Sequence, residues 1–199
     1  SVIAVLAYIM LLPPQKQQTI QQEETTQKTI ISPSSPKTVS NTSKNKWITI
    51  DMPESKIKVL SALKIDTTMN VTFEKDAPSS ASSGIVFYNG LPETNPHTRK
   101  LSLYYYLKNR KWILQYQEGK KKKFYGVVGV EPKDASESFS LLISSDGKRV
   151  MVTLPNKKTR LITLPHTLYD ISNQMYLKPL LGPQSHINFT SLSYERVTL

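Results

Sequence analysis

From Ser138 to Leu154 the sequence reads SFSLLISSDGKRVMVTL, apolar and polar residues alternating on both sides of Asp146-Gly147. Asp-Gly is the dipeptide favoured by a two-residue type I′ hairpin turn. Folding the segment there sets Ile143 opposite Val150, Leu141 opposite Val152 and Phe139 opposite Leu154. All three pairs fall on one face, and a slip by one residue would turn them to the other. The opposite face keeps Ser140, Leu142, Ser144, Arg149, Met151 and Thr153. A chain holding this element is committed to a β-sheet with one buried side.

The pattern recurs along most of the chain. Short alternating runs between turn signals predict strands near residues 47–51, 56–65, 70–75, 85–89, 101–107, 112–117, 124–130, 139–144, 149–154, 160–164 and 187–197. A short helical turn is expected around residues 168–173, after Pro165. Even spacing with few helical periods points to an all-β sandwich or barrel.

A second hairpin spans Leu101 to Gln117. A two-residue or a four-residue loop after Leu107 sets Leu107 opposite Trp112, Tyr105 opposite Leu114 and Leu103 opposite Tyr116. Tyr104, Tyr106, Ile113, Gln115 and Gln117 then share the other face. A three-residue loop would exchange the two sides.

The N-terminal quarter differs. Residues 1–12, SVIAVLAYIMLL, carry no charge but fall short of the roughly 20 apolar residues of a membrane span. Pro13 and Pro14 follow with no small-x-small cleavage site. The expectation is the end of an uncleaved, single-pass anchor helix. Residues 13–46 are dense in Gln, Thr, Ser, Pro and Lys, without sustained periodicity, and read as a disordered linker. Residues 47–199 remain as the folded domain, expected on the extracytoplasmic side of a cell membrane.

Lys and Arg number 26 against 15 Asp and Glu, a net charge of +11 that favours anionic partners or simply keeps a surface protein soluble. Cysteine is absent, which excludes disulfides, thiolate metal sites and cysteine nucleophiles. An exported domain without disulfides relies on its core, which suits a bacterial surface.

The segment Ser83-Gly84-Ile85-Val86-Phe87-Tyr88, the run from Leu101 to Tyr106, Phe139-Ser-Leu-Leu-Ile with Asp146-Gly147-Lys148-Arg149-Val150, and the closing Ile187-Asn188-Phe189 with Leu192-Ser193-Tyr194 resemble the concanavalin A-like lectin/glucanase superfamily, LamG-like domains in particular. The resemblance covers roughly residues 47–199. It implies a two-sheet antiparallel jelly-roll sandwich whose concave sheet binds glycans, and relatives that are accessory modules of carbohydrate-active enzymes. It transfers no ligand residues.

Catalysis finds little support in the residues. Glycoside hydrolysis needs two carboxylates about 5–9.5 Å apart across the scissile bond. The Glu-x-Asp-x-x-Glu run of the lectin-like glucanases does not occur. Glu74 and Asp76 read as a solvated turn, and Glu131, Asp134 and Glu137 as a loop around Pro132. No Gly-x-Ser-x-Gly elbow is present, and His97, His166 and His186 are scattered, which disfavours both a serine hydrolase and zinc. No Asp-x-Asp-x-Asp-Gly calcium loop occurs. Neither enzyme activity nor a metal or other cofactor is expected.

Lys100 to Lys123 holds eight Lys and Arg against Glu118 alone, interleaved with aromatics, a composition used for stacking on single-stranded nucleic acid. Half of those aromatics are expected in the core and Lys120–Lys123 at a hairpin tip, so nucleic acid is not expected as a partner. Sugars offer apolar C–H faces and dense hydroxyls, and their sites pair aromatic platforms with hydrogen-bonding groups. Tyr104, Tyr106, Gln115 and Gln117 supply both, and are the candidate ligand-binding residues. A covered sheet face explains them equally well. The expected partners are a glycan or polysaccharide and, through residues 1–12, a membrane, with the chain acting as a monomer. The alternative is a basic structural or adhesion domain that binds anionic surface polymers or a protein. Asn41-Thr-Ser, Asn70-Val-Thr and Asn188-Phe-Thr match the glycosylation acceptor, a frequency expected by chance in so polar a chain.

Overall fold

The computed structural model describes residues 28–30, 38–44, 48–49, 56–58, 61–129, 135–154 and 157–197. They form two antiparallel sheets. Sheet A runs β1 (Lys28–Ile30), β14 (Ser185–Val197), β5 (Ala62–Phe73), β10 (Ala135–Ile143), β11 (Arg149–Thr153) and β12 (Thr159–Thr163), with β2 (Thr38–Asn41) also on β14. Sheet B runs β3 (Ile48–Thr49), β13 (Gln174–Leu181), β6 (Ser82–Tyr88), β7 (Arg99–Tyr106), β8 (Lys111–Glu118) and β9 (Lys121–Gly129), with β4 (Lys56–Lys58) also on β13.

One core fills the space between them. Leu63, Ile65, Met69, Val71, Phe139 and Leu141 of sheet A meet Ile85, Phe87, Leu103, Tyr105, Trp112 and Leu177 of sheet B. Rings cross the gap: Phe73 lies 6.2 Å from Tyr105, and Trp112 sits edge-on to Phe139 at 4.9 Å. Such tilted and T-shaped pairs add to the burial of their area.

The first hairpin pairs as its alternation requires, Leu141 with Val152 and Ile143 with Val150. Its turn is not type I′, which needs positive φ at both central residues. Only Gly147 takes it, at +66°. The chain reverses over residues 144–147, with Gly147 N–H on Ser144 O at 2.8 Å, and Ser144 N–H closes on Arg149 O at 2.9 Å. Asp146 Oδ1 caps the loop by accepting from Lys148 N at 3.0 Å. Two-residue and four-residue loops share a parity, so the register survives the change of turn.

The second hairpin keeps its faces but shifts by two residues. Tyr105 stands opposite Trp112, and Leu103 opposite Leu114. Leu107 leaves the ladder because its N–H is taken by Ala81 O at 3.0 Å. The four-residue loop 107–110 requires positive φ only at Arg110, at +49°. A type I′ turn on Asn109-Arg110 would demand it of both.

Three strand assignments are corrected. Residues 62–73 form one strand, not the ends of two, and Lys56–Lys58 belongs to sheet B. Asp66, Thr67 and Thr68 looked like a break. Thr67 nevertheless faces inward at 2% exposure, its hydroxyl donated to Ser191 O at 3.3 Å beside the β-bulge of β14. The bulge opens a carbonyl to the inner face and makes a polar residue tolerable there. β13 was missed altogether, and turns replace the helical turn expected at residues 168–173. Met175, Leu177 and Leu181 show its inward period of two, but Pro179 argues against a central strand. Pro179 is accommodated because β4 pairs with residues 174–176 and β3 with 180–181, leaving that side of β13 unpaired between them among the described residues.

The sequence placed a disordered linker over residues 13–46, yet two strands fall inside it. Lys28–Ile30 pairs with residues 193–195, and Thr38–Asn41 with residues 185–188. Asn41 is 3% exposed and donates its amide to Gly182 O at 3.0 Å. Backbone pairing with β14 satisfies these largely polar segments, whose isolated Ile30 and Val39 set up no sustained period. The ordered unit thus begins upstream of Trp47. The expected anchor, residues 1–12, lies outside the described residues, among which no helix is long and apolar enough to cross a membrane.

Candidate functional site

Because Leu103, Tyr105, Trp112 and Leu114 point into the core, their neighbours point out of sheet B. The register aligns them in rows: Gly84, Tyr104 and Ile113; Val86, Ser102 and Gln115; Tyr88, Lys100 and Gln117. Tyr106 lies opposite Lys111 at the far end of the same face. All four sequence-derived candidates are therefore on one surface.

Two of them touch. Tyr104 donates its hydroxyl to Gln115 Oε1 at 2.8 Å, a diagonal contact between adjacent strands. Burial, and next the neighbouring Tyr106, push the Tyr104 phenol up to about 12. Gln115 is only 8% exposed, so the open platform expected from the sequence is partly covered. Gln115 holds the Tyr104 hydroxyl, and Tyr104 and Tyr106 keep partly exposed rings. Gln117 donates Nε2 to Gly119 O at 2.6 Å, which turns its side chain toward the β8–β9 tip.

The tyrosine row depends on Gly84. A Cβ there would lie 2.1 Å from Leu103 O and 2.5 Å from Tyr104 Cα. Only glycine lets β6 approach β7 so closely beneath the Tyr104 side chain.

The face holds more than the sequence revealed. Tyr88 and Tyr176 are partners across β6 and β13, their rings 5.7 Å apart. Lys178 Nζ stands 4.5 Å from the Tyr88 ring centroid. Tyr176 and Lys178 belong to β13, and the alternation of Met175, Leu177 and Leu181 was the signal that could have found them. At its β8–β9 end the face opens into a cleft of about 920 Å³, lined by residues 93–97 of the β6–β7 loop, residues 117–122 and His166. The tip is the two-residue turn Gly119-Lys120. Lys121, Lys122 and Lys123 therefore stand on β9 opposite Glu118, Gln117 and Tyr116, and not in a loop. Glu118 Oε2 meets His166 Nδ1 at 2.8 Å, and Glu93 Oε1 meets Lys100 Nζ at 3.1 Å.

Among the described residues the remaining polar candidates do not converge on one place. Glu74 and Asp76 are bridged by the Gln184 amide, 3.3 Å and 2.8 Å away. That hydrogen bond holds the Asp76 carboxyl below its ordinary value. Burial raises Glu137, which stands on β10 opposite Met69. Glu131 and Asp134 lie outside the described residues. His186 Nδ1 contacts the directly opposite Ser40 Oγ at 2.8 Å, and its Nε2 lies 3.6 Å from Glu74, a cross-strand clasp of β2 onto β14. His97 lines the cleft. Among the described residues no group of three or more His, Asp or Glu could hold a metal ion.

No family model matches the sequence, and no curated protein matches it. Solved structures do. The metal-free carbohydrate recognition domain of Emp46p superposes at a TM-score of 0.55 with 14% identity, covering 92% of this chain and 94% of that one. A point mutant of the same domain gives 0.51 with 13% identity over the same shares. A looser likeness, TM-score 0.49 with 9% identity, relates 86% of this chain to 34% of β-fructofuranosidase from Schwanniomyces occidentalis. With its paired antiparallel sheets and single intervening core, the described sandwich has a concanavalin A-like lectin fold.

Proposed function

We propose that this domain is a non-catalytic carbohydrate-binding module that takes its ligand on the outer face of sheet B. The observation that carries the reading is the Tyr104–Gln115 hydrogen bond of 2.8 Å within a face of partly exposed tyrosines. It fixes an aromatic ring at the surface before any ligand arrives, which lowers the ordering cost of binding. Tyr104 and Tyr106 offer rings to the C–H faces of sugars, and Gln117 Oε1 offers an acceptor to their hydroxyls. Six residues of β7 separate the Tyr106 row from the Gln117 row, roughly 20 Å, so a ligand touching both is an oligosaccharide. The lectin carbohydrate recognition domain that shares the fold supports the same reading. We assign LamG-like character, monomeric action and service beside a carbohydrate-active enzyme to the same proposal. Display outside a membrane rests on the uncharged run at residues 1–12.

The test is retention of the full chain on immobilised polysaccharides and an oligosaccharide array, for wild type and for Tyr106→Ala. Retention by wild type and its loss in a variant of unchanged melting temperature supports the reading. Absence of wild-type binding across plant, microbial and host glycans sinks it.

A further inference from the structure

We infer that the cleft at the β8–β9 end of sheet B binds the acidic groups, sulfate or carboxylate, of an anionic oligosaccharide. This rests on the carbohydrate reading above and names the ligand class. The cleft has a volume of about 920 Å³, enough for more than one sugar unit, and its lining includes Lys120, Lys121 and Lys122. Two carboxylates also line it, and each already has a partner: Glu118 has His166 at 2.8 Å, and Glu93 has Lys100 at 3.1 Å. The three lysines make no ion pair among the described residues, so the cleft keeps a positive excess with its own acids engaged. Three cations held on and beside one turn repel one another, and an arriving anion relieves that repulsion.

The cleft is also continuous with the tyrosine face. Gln117 lines it and stands directly between Lys100 and Lys122 in one row across the strands. An extended chain lying over Tyr104 thus runs past Gln117 into the lysines. A neutral sugar would use only the first part of that path, and an acidic one both. Nucleic acid, the other polyanion such a groove could take, would also stack on the tyrosines, so it enters the test below as a competing outcome.

Titration of the full chain with four size-matched probes decides the matter: a heparin tetrasaccharide, tetragalacturonate, cellotetraose and a short oligothymidylate. The variant is Lys120→Ser/Lys121→Ser/Lys122→Ser, whose exposed side chains leave the core untouched. The expected result is about tenfold weaker binding of the acidic tetrasaccharides by the variant, at an unchanged melting temperature. Their affinity should also fall with salt, because exposed charges are screened within about 10 Å at 0.1 M. A preference for heparin over tetragalacturonate assigns the anion as sulfate, and the reverse as carboxylate. Acidic binding equal in variant and wild type overturns the inference, while cellotetraose binding that needs Tyr106 leaves the carbohydrate reading standing. Tightest binding of oligothymidylate, lost in the variant, overturns the sugar assignment of the cleft. If no probe binds, both the inference and the reading it rests on fail for these ligands.

Discussion

The Tyr104 hydroxyl and Gln115 Oε1, 2.8 Å apart, tie a surface ring to an amide that is itself almost wholly buried. Cutting that link exposes its value. Tyr104→Phe keeps the ring and leaves a buried acceptor without its donor, a change that costs about 1–3 kcal/mol of stability. Urea unfolding should show the loss while stacking on a bound sugar is retained.

The same phenol provides a pH test. Its folded-state value is about 12 against an ordinary 10.0, so the fold keeps the neutral form. Its contribution is complete below pH 10 and is lost as pH rises through about 12. Subtracting the phenolate absorbance titration of Tyr104→Phe from that of wild type should leave one step near pH 12. A step near 10 would mean that the hydroxyl is open to water.

Gly84→Ala probes the close approach of β6 and β7. Its Cβ meets backbone atoms of Leu103 and Tyr104, which cannot rotate away. Strand separation should cost about 1–3 kcal/mol and displace Tyr104, so that sugar retention and melting temperature fall together. Unchanged retention would detach the tyrosine from the site.

Trp112 lies at the centre of the core, edge-on to Tyr105 at 5.7 Å and to Phe139 at 4.9 Å. Trp112→Ala should destabilise the domain by about 3–5 kcal/mol, measured by denaturant unfolding. A loss below 1 kcal/mol would contradict the packing of the two sheets.

Asn41 checks where the ordered unit begins. Asn41→Ala removes the amide that reaches Gly182 O, leaving a buried carbonyl short of a donor at a cost of about 1–3 kcal/mol. A chain truncated before Lys46 should lose at least as much, since β2 goes with it. Equal melting of full and truncated chains would return residues 38–41 to a linker.

Much of this architecture could be read from alternation. Phe139 to Leu154 and Leu101 to Gln117 expose their faces because each inward residue is apolar and each turn length has a parity. The faces of Tyr104, Tyr106, Gln115 and Gln117 followed only for a two- or four-residue loop, and the four-residue loop 107–110 settles them. Hidden features lay where backbone pairing carries a strand with a single apolar side chain, as Val39 in Thr38–Asn41, or where one residue contradicts its strand. Thr67 and Pro179 are of that kind: a bulge satisfies the first, and a gap between two short partners admits the second. The cleft was invisible for another reason. His166 and Glu118 are 48 positions apart, and only the sheet brings them within 2.8 Å.

The first two strands of the described chain both pair with β14, in the sheet opposite the tyrosines. Of the described strands, the three-residue β1 is nearest the N-terminal end, so a load drawn through that end reaches its ladder before that of β2. Antiparallel strands pulled from one end separate pair by pair. Peeling of β1, and then of β2, would lengthen the chain on that side while sheet B stays intact, a mechanical fuse at the N-terminal edge of the described sandwich.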